Sequence, residues 1–122
     1  MALMRSEKLY LMDIMEAVDA ITAFMQDATA DEFSNDKVLR SAVALKLTNI
    51  AEAATCISAC LRERHPQVDW SAVIALGNAV LERYYDVDWD AVWRWVTLDG
   101  PVFGELVACV VRSEFSNEGT DN

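Results

Sequence analysis

Val43, Leu47, Ile50, Ala54, Ile57 and Leu61 stand alternately four and three residues apart. A seven-residue repeat of this kind turns its apolar side chains to one face of a helix and suits close packing against a neighbouring helix. It predicts a long helix from about Asp36 to Arg64, ended at His65-Pro66 because the residue before proline avoids the helical region. Small residues near its middle, Ala51, Ala53 and Ala54, leave room for another helix to approach.

The rest of the chain carries the same signal. Leu11, Ile14, Met15, Val18, Ile21 and Met25 recur at three- and four-residue steps, with Glu7, Asp13, Glu16 and Asp19 largely off that stripe, so a first helix is predicted from about Ser6 to Gln26. Ala28 to Asp36 reads as a polar, broken connection with one short helical turn around Glu32-Phe33. Asp69 or Ser71 is expected to cap a helix reaching about Tyr84, with Val73, Leu76, Val80 and Tyr84 on one side. Asp88 is expected to cap another, carrying Trp89, Val92, Trp93 and Val96, which Gly100-Pro101 bends or interrupts. Phe103, Leu106, Val107, Val110 and Val111 continue a final apolar stripe. No segment alternates with period two. The expected fold is all-α: a four- to five-helix up-and-down bundle forming a single domain over residues 5–115, followed by a disordered acidic tail over 116–122. A length of 122 residues suits one core, and 4 Gly with 2 Pro favours long helices over a turn-rich fold.

No apolar run approaches the ~18 residues needed to span a bilayer. The first residues lack the charged-then-apolar order of a signal peptide. Three cysteines, Cys56, Cys60 and Cys109, do not suit a disulfide framework. A cytoplasmic protein with reduced thiols is expected. Cys56 and Cys60 are one helical turn apart and could face a metal. With only His65 nearby they read instead as buried small apolar side chains, and no metal or other cofactor is expected. The net charge of −10 disfavours broad binding to RNA or to an anionic membrane and suits a basic protein partner.

His65 is the only histidine, and it reads as a surface cap at a helix C-terminus. One histidine allows no Ser-His-Asp triad, and no glycine-rich phosphate loop follows a strand. The densest polar stretch holds Asn78, Glu82, Arg83, Tyr84, Tyr85, Asp86 and Asp88. Asn78 and Glu82 are four apart and share a helix face. On chemistry alone this is a helix end with a polar face, because a carboxylate and an amide supply neither a phosphate-binding cation nor an acid.

At these residues the chain resembles the HEPN superfamily, and within it the HepT-like toxins that pair with minimal nucleotidyltransferases in toxin–antitoxin systems. Lys8-Leu9-Tyr10-Leu11-Met12-Asp13-Ile14 is similar to that family's Tyr-Leu-x-Asp-Ile start. Asn49-Ile50-Ala51-Glu52-Ala53-Ala54 is similar to its Ile-Ile-Gly-Glu-Ala-Ala segment. His65-Pro66-Gln67-Val68-Asp69-Trp70 resembles its Tyr-Pro-x-Ile-Pro-Trp turn, and Tyr84-Tyr85-Asp86-Val87-Asp88 its Tyr-Phe-Gly-Val-Asp, followed by Val92-Trp93. The order and spacing of these pieces, from about Arg5 to Arg112, carry the resemblance.

The resemblance implies a metal-independent RNase site across a dimer, marked by Arg-Asn, then His, one residue, and Tyr. Aligned on Leu76, Asn78 and Tyr84, the chain has Gly77 where Arg belongs and Glu82 where His belongs, while Asn78 and Tyr84 match. RNA cleavage needs a proton shuttle near neutral pH and a cation on the phosphate. Gly77 supplies neither, and an ionised carboxylate repels phosphate. The expectation is therefore a degenerate HepT-like domain without competent RNase activity. It would keep the homodimer and act as a binding or regulatory partner of a minimal nucleotidyltransferase. The alternatives are an active RNase toxin with relocated residues, Arg83 or Arg94 with Glu82 as base, and a plain helical scaffold. The resemblance also implies Tyr84 as a site for AMP attachment by that partner. Trp93 and Trp95 cannot share one buried stripe, so one of Trp89, Trp93 and Trp95 is expected to face a partner chain. Arg and His restored together at 77 and 82 are expected to rebuild the signature, unless the cleft has closed around Gly77.

Overall fold

Six helix starts are marked by an oxygen-bearing side chain that accepts one of the free N–H groups of the first turn. The computed structural model describes the backbone of residues 6–120 and the side chains of residues 6–115. Helix α1 spans Glu7–Phe24 behind Ser6, and α2 spans Ala30–Asn35 behind a reciprocal box in which Thr29 and Glu32 each accept the other's backbone N–H. Asp36 caps α3, Lys37–Thr55; Ser58 caps α4, Ala59–Arg64; and Asp69, not Ser71, caps α5, Trp70–Glu82. A 3-10 turn, Tyr84–Asp86, leads to α6, Trp89–Arg94, capped by Asp88. A π turn, Trp95–Asp99, then runs into α7, Gly100–Thr120. The fold is all-α, with no strand among the described residues.

Two boundaries differ from the periodicity. The long helix expected to reach Arg64 stops at Thr55. Ser58 turns extended, its Oγ accepts the Leu61 N–H at 3.1 Å, and its own N–H donates to Glu7 Oε1 at 2.6 Å. The apolar stripe crosses this break intact, with Ile57 and Leu61 both buried. Gly100-Pro101 does not interrupt its helix. The Gly100 N–H bonds the Trp95 carbonyl, five residues back, so the helix widens by one residue where Pro101 has no N–H to offer.

α3 runs antiparallel between α1 and α5. The turn after α3 meets the start of α1 at Ser58–Glu7, and the start of α3 meets the end of α5 at Ser41–Tyr84. α7 returns along α1, where Met15 and Thr22 share a groove with Ala108 and Pro101. Gly104 sets that approach, since a Cβ there would come within 2.9 Å of Val18 Cγ1. Leu11, Ile14, Val43, Leu47, Ile50, Val73, Val80 and Val107 form the shared core.

Trp70 and Trp95 are buried in this core, while Trp89 and Trp93 are half-buried against it. Phe33 of α2 packs its ring against Trp89 and Trp93, at 6.1 and 5.6 Å between centroids. Trp95 is 7% exposed and packs on Phe103 at 5.6 Å. Two separate aromatic groups, on either side of the start of the π turn, bury what one helical stripe could not. The three cysteines are exposed rather than buried.

His65 caps the C-terminus of α4, as expected, but is buried rather than at the surface. Its Nε2 lies 2.6 Å from Glu114 Oε2, and Arg64 donates to both Glu114 oxygens at 2.8 and 3.1 Å. The Trp70 indole N–H donates to the His65 carbonyl. This network ties the α4–α5 connection to α7. The Arg64 hydrogen bond, then that of His65, holds the Glu114 carboxyl down from 4.5 to about 2. The expected acidic tail falls on residues 116–122, outside those whose side chains are described. No helix among the described residues is long and apolar enough to cross a membrane.

A carboxyl depressed in the folded chain stabilises it above the unfolded value and loses that contribution as pH falls through the folded one. Glu114→Gln should therefore melt lower than wild type at pH 7, by roughly 5 °C. That gap should close between pH 4.5 and about 2, where the wild-type carboxyl itself becomes protonated. Melting temperatures of both proteins across this range check the claim, and a gap independent of pH contradicts it.

Candidate functional site

Helix α5 presents two faces with different tasks. Val73, Gly77 and Val80 are buried against α3, and Asn78 and Glu82, four residues apart, are exposed. Gly77 sits in the seam itself. A Cβ built there would overlap the Cβ of Ala51 and lie 2.8 Å from the Leu47 carbonyl oxygen. Position 77 is a helix-crossing point, where only a residue without a side chain lets the two backbones come this near.

The helix ends at Glu82, and this places Tyr84. Arg83 closes the helix with its N–H on the Ala79 carbonyl and its guanidinium on Asp86 at 3.0 Å. The 3-10 turn then swings Tyr84 towards α3, where its hydroxyl and Ser41 Oγ stand 2.6 Å apart. Its ring meets the rings of Tyr85 and Trp89 at 6.3 and 6.0 Å, edge to face. Tyr84 remains 42% exposed. Arg40 of α3 lies over the Trp89 ring at 5.4 Å and donates to the carbonyls of Phe33 and Ser34.

Asn78 and Glu82 thus lie exposed on one face of α5, Tyr84 lies just beyond its end against Ser41 of α3, and Gly77 is buried in the seam; no contact joins Asn78 or Glu82 to Tyr84 among the described residues. Arg94 lies exposed on α6. His65 stands before the other end of α5, roughly 20 Å away by the length of that helix, and is held by Glu114. Glu82, Asp86, Asp88 and Asp90 make the region acidic, while Arg83 is paired with Asp86 and Arg40 is turned to carbonyls and an indole. Such a surface repels a phosphate backbone. Among the described residues no group of three His, Cys, Asp or Glu side chains could hold a metal ion.

Sequence reasoning missed Ser41 and Arg40. Helical periodicity sorts residues by face within one helix, but it does not pair a position on α3 with one beyond the end of α5. It also missed a shallow apolar groove of about 300 Å³ between α3 and α5, lined by Ala44, Leu45, Thr48, Val80, Leu81 and Tyr84. Leu81 is 69% exposed there and Leu45 59%. Val38, Ser41, Leu45 and Thr48 follow each other at three- and four-residue steps, so α3 has a second, outward stripe beside its core stripe.

The HepT-like family model, described as ribonuclease HepT-like, matches residues 14–110. A "Putative RNase" of Methanocaldococcus jannaschii is 34% identical over 106 residues, 87% of this chain and 97% of its own length. A "Probable ribonuclease HepT" of Thermococcus cleftensis is 31% identical over 97 residues, 80% of this chain and 88% of its own length. A "Gamma-glutamylcyclotransferase and putative RNase" of Methanocaldococcus jannaschii is 25% identical over 111 residues, 91% of this chain but 50% of that protein. No solved structure matches the chain significantly. The fold, the extent of the family match and the identity to these relatives agree, and the chain belongs to the HepT-like ribonuclease family.

Proposed function

We propose that this chain is a HepT-like domain that does not cleave RNA and serves as a homodimeric binding or regulatory partner of a minimal nucleotidyltransferase. The observation that carries this reading is Gly77. The residue aligned with the signature Arg is buried in the α3–α5 seam with no space for a side chain, so nothing at that position can meet a phosphate. Glu82, aligned with the His, is exposed and carries the wrong charge for a phosphate-facing acid. His65 cannot stand in for it, being engaged by Glu114 beyond the other end of α5. The alternative with Arg83 or Arg94 acting beside Glu82 finds Arg83 committed to Asp86.

The dimer is supported by the outward stripe of α3 and the groove beside it. Leu45, Leu81 and Tyr85 are exposed apolar or aromatic side chains, and Leu45 and Leu81 line the groove between α3 and α5, so burying them against a second copy would bring two copies of α5 near each other. Light scattering at micromolar concentration should give twice the 13.6 kDa chain mass. Leu81→Asp should yield a folded monomer, because Leu81 is 69% exposed and lies outside the core. A wild-type monomer, or a dimer untouched by Leu81→Asp, would count against this face.

Tyr84 is the residue offered to the partner. Tyr84 is part-exposed just past a helix end, and its hydroxyl, once released from Ser41, would attack the α-phosphate of ATP, the phenol losing its proton and pyrophosphate leaving. Incubation with a cognate nucleotidyltransferase and ATP should add one AMP to wild type and none to Tyr84→Phe. Equal mass gain in both removes the assignment. Expression of the chain without any partner should leave growth unchanged. Growth arrest that disappears with Glu82→Ala would establish the relocated-site reading instead.

A further inference from the structure

The point where α3 crosses α5 is defined by three groups: the Cα of Gly77, the methyl of Ala51 and the carbonyl of Leu47. Ala51 is 2% exposed and Leu47 fully buried, so neither can move towards solvent to admit a larger residue opposite. Leu47 contributes a backbone oxygen, whose position changes only if the helix moves. The methyl of Ala51 is the one side-chain atom in the clash. In the segment that resembles Ile-Ile-Gly-Glu-Ala-Ala, Ala51 stands at the glycine. This chain carries its glycine on α5, at 77, and a methyl on α3, at 51.

We propose that Ala51 is a positioning residue that sets the spacing of α3 and α5 and thereby decides what position 77 can carry. With a methyl at 51 and the Leu47 carbonyl oxygen 2.8 Å away, only glycine fits at 77, and of these two obstacles Ala51 is the one a substitution can remove. This inference rests on reading Gly77 and Glu82 as the altered signature, and it concerns packing that can be measured without any activity.

The sign of a single substitution is diagnostic. At an unconstrained mid-helix site, Gly→Ala stabilises a protein, because alanine loses less backbone entropy on folding and has the higher helix propensity. Here Gly77→Ala should do the opposite and lower the melting temperature by roughly 5–15 °C, the range expected for one overpacked methyl in a chain this size. In the Ala51→Gly background the same change should lower it by less, since the nearer of the two obstacles is gone and the Leu47 carbonyl at 2.8 Å is the one that remains. Equal losses in both backgrounds, or a gain from Gly77→Ala alone, would overturn the proposal.

Larger variants carry the same logic to the site. Gly77→Arg with Glu82→His should aggregate or melt far below wild type. Adding Ala51→Gly should restore a folded protein, seen by circular dichroism and by elution volume. If the double variant folds as well as wild type with Ala51 in place, position 77 is not controlled by position 51 and the proposal fails. The folded triple variant should cut single-stranded RNA in the presence of a chelator, a readout that packing alone would not move. A folded triple variant that leaves RNA intact counts against the reading of positions 77 and 82 as the signature, whereas the melting cycle decides the spacing pair by itself.

Discussion

The near contact of α3 and α5 at Gly77 and Ala51 is the constraint on which the remaining geometry hangs. α3 is packed on both sides, against α1 and α5, and its position is shared by every long helix except α7, which reaches the bundle through α1. Ten residues before Ala51, roughly 15 Å along the helix, α3 delivers Ser41 to the Tyr84 hydroxyl. Just beyond its other end, the Ser58 N–H reaches Glu7 at the start of α1. A wider seam would move both ends. The glycine, unfavourable inside a helix on its own, is retained here by the packing it allows.

The electrostatic character of the site follows from what this seam hides. With no side chain at 77, the exposed polar groups at the aligned positions on and just beyond α5 are an amide, a carboxylate and a phenol: Asn78, Glu82 and Tyr84. The nearest cations have other partners, Arg83 on Asp86 and Arg40 on two carbonyls and the Trp89 ring. The one histidine is used elsewhere, to hold α7 through Glu114. A surface built this way offers apolar contact and a reachable hydroxyl, which suit protein partners better than a polyanion.

Much of this was legible in the sequence because it is local. Ser6, Asp36, Asp69 and Asp88 read as helix starts and are caps, and the stripes of Leu11 to Ile21 and Val43 to Leu61 mark the core. The stripe misled only where periodicity outlived the helix, at Cys56 to Ser58, since buried faces can stay in register across a turn. The burial of His65 was missed for a different reason: it goes with Glu114, 49 residues later in the chain, and no spacing rule links the two. Nor does one link Phe33 with Trp89 and Trp93, whose rings it meets. That Gly77 lies inside a helix was readable, but the closure of the seam over it was not, because it takes Ala51 and Leu47 of another helix.

The central claim is that this member of a ribonuclease family lacks the groups for cutting RNA. It is tested most directly by incubating the purified wild-type protein with end-labelled single-stranded RNA and a metal chelator at pH 7, and following the products on a gel. No cleavage above the buffer control is the expected result. Cleavage by wild type that is abolished by Glu82→Ala and kept by Asn78→Ala would contradict the account and place an active centre on the acidic end of α5.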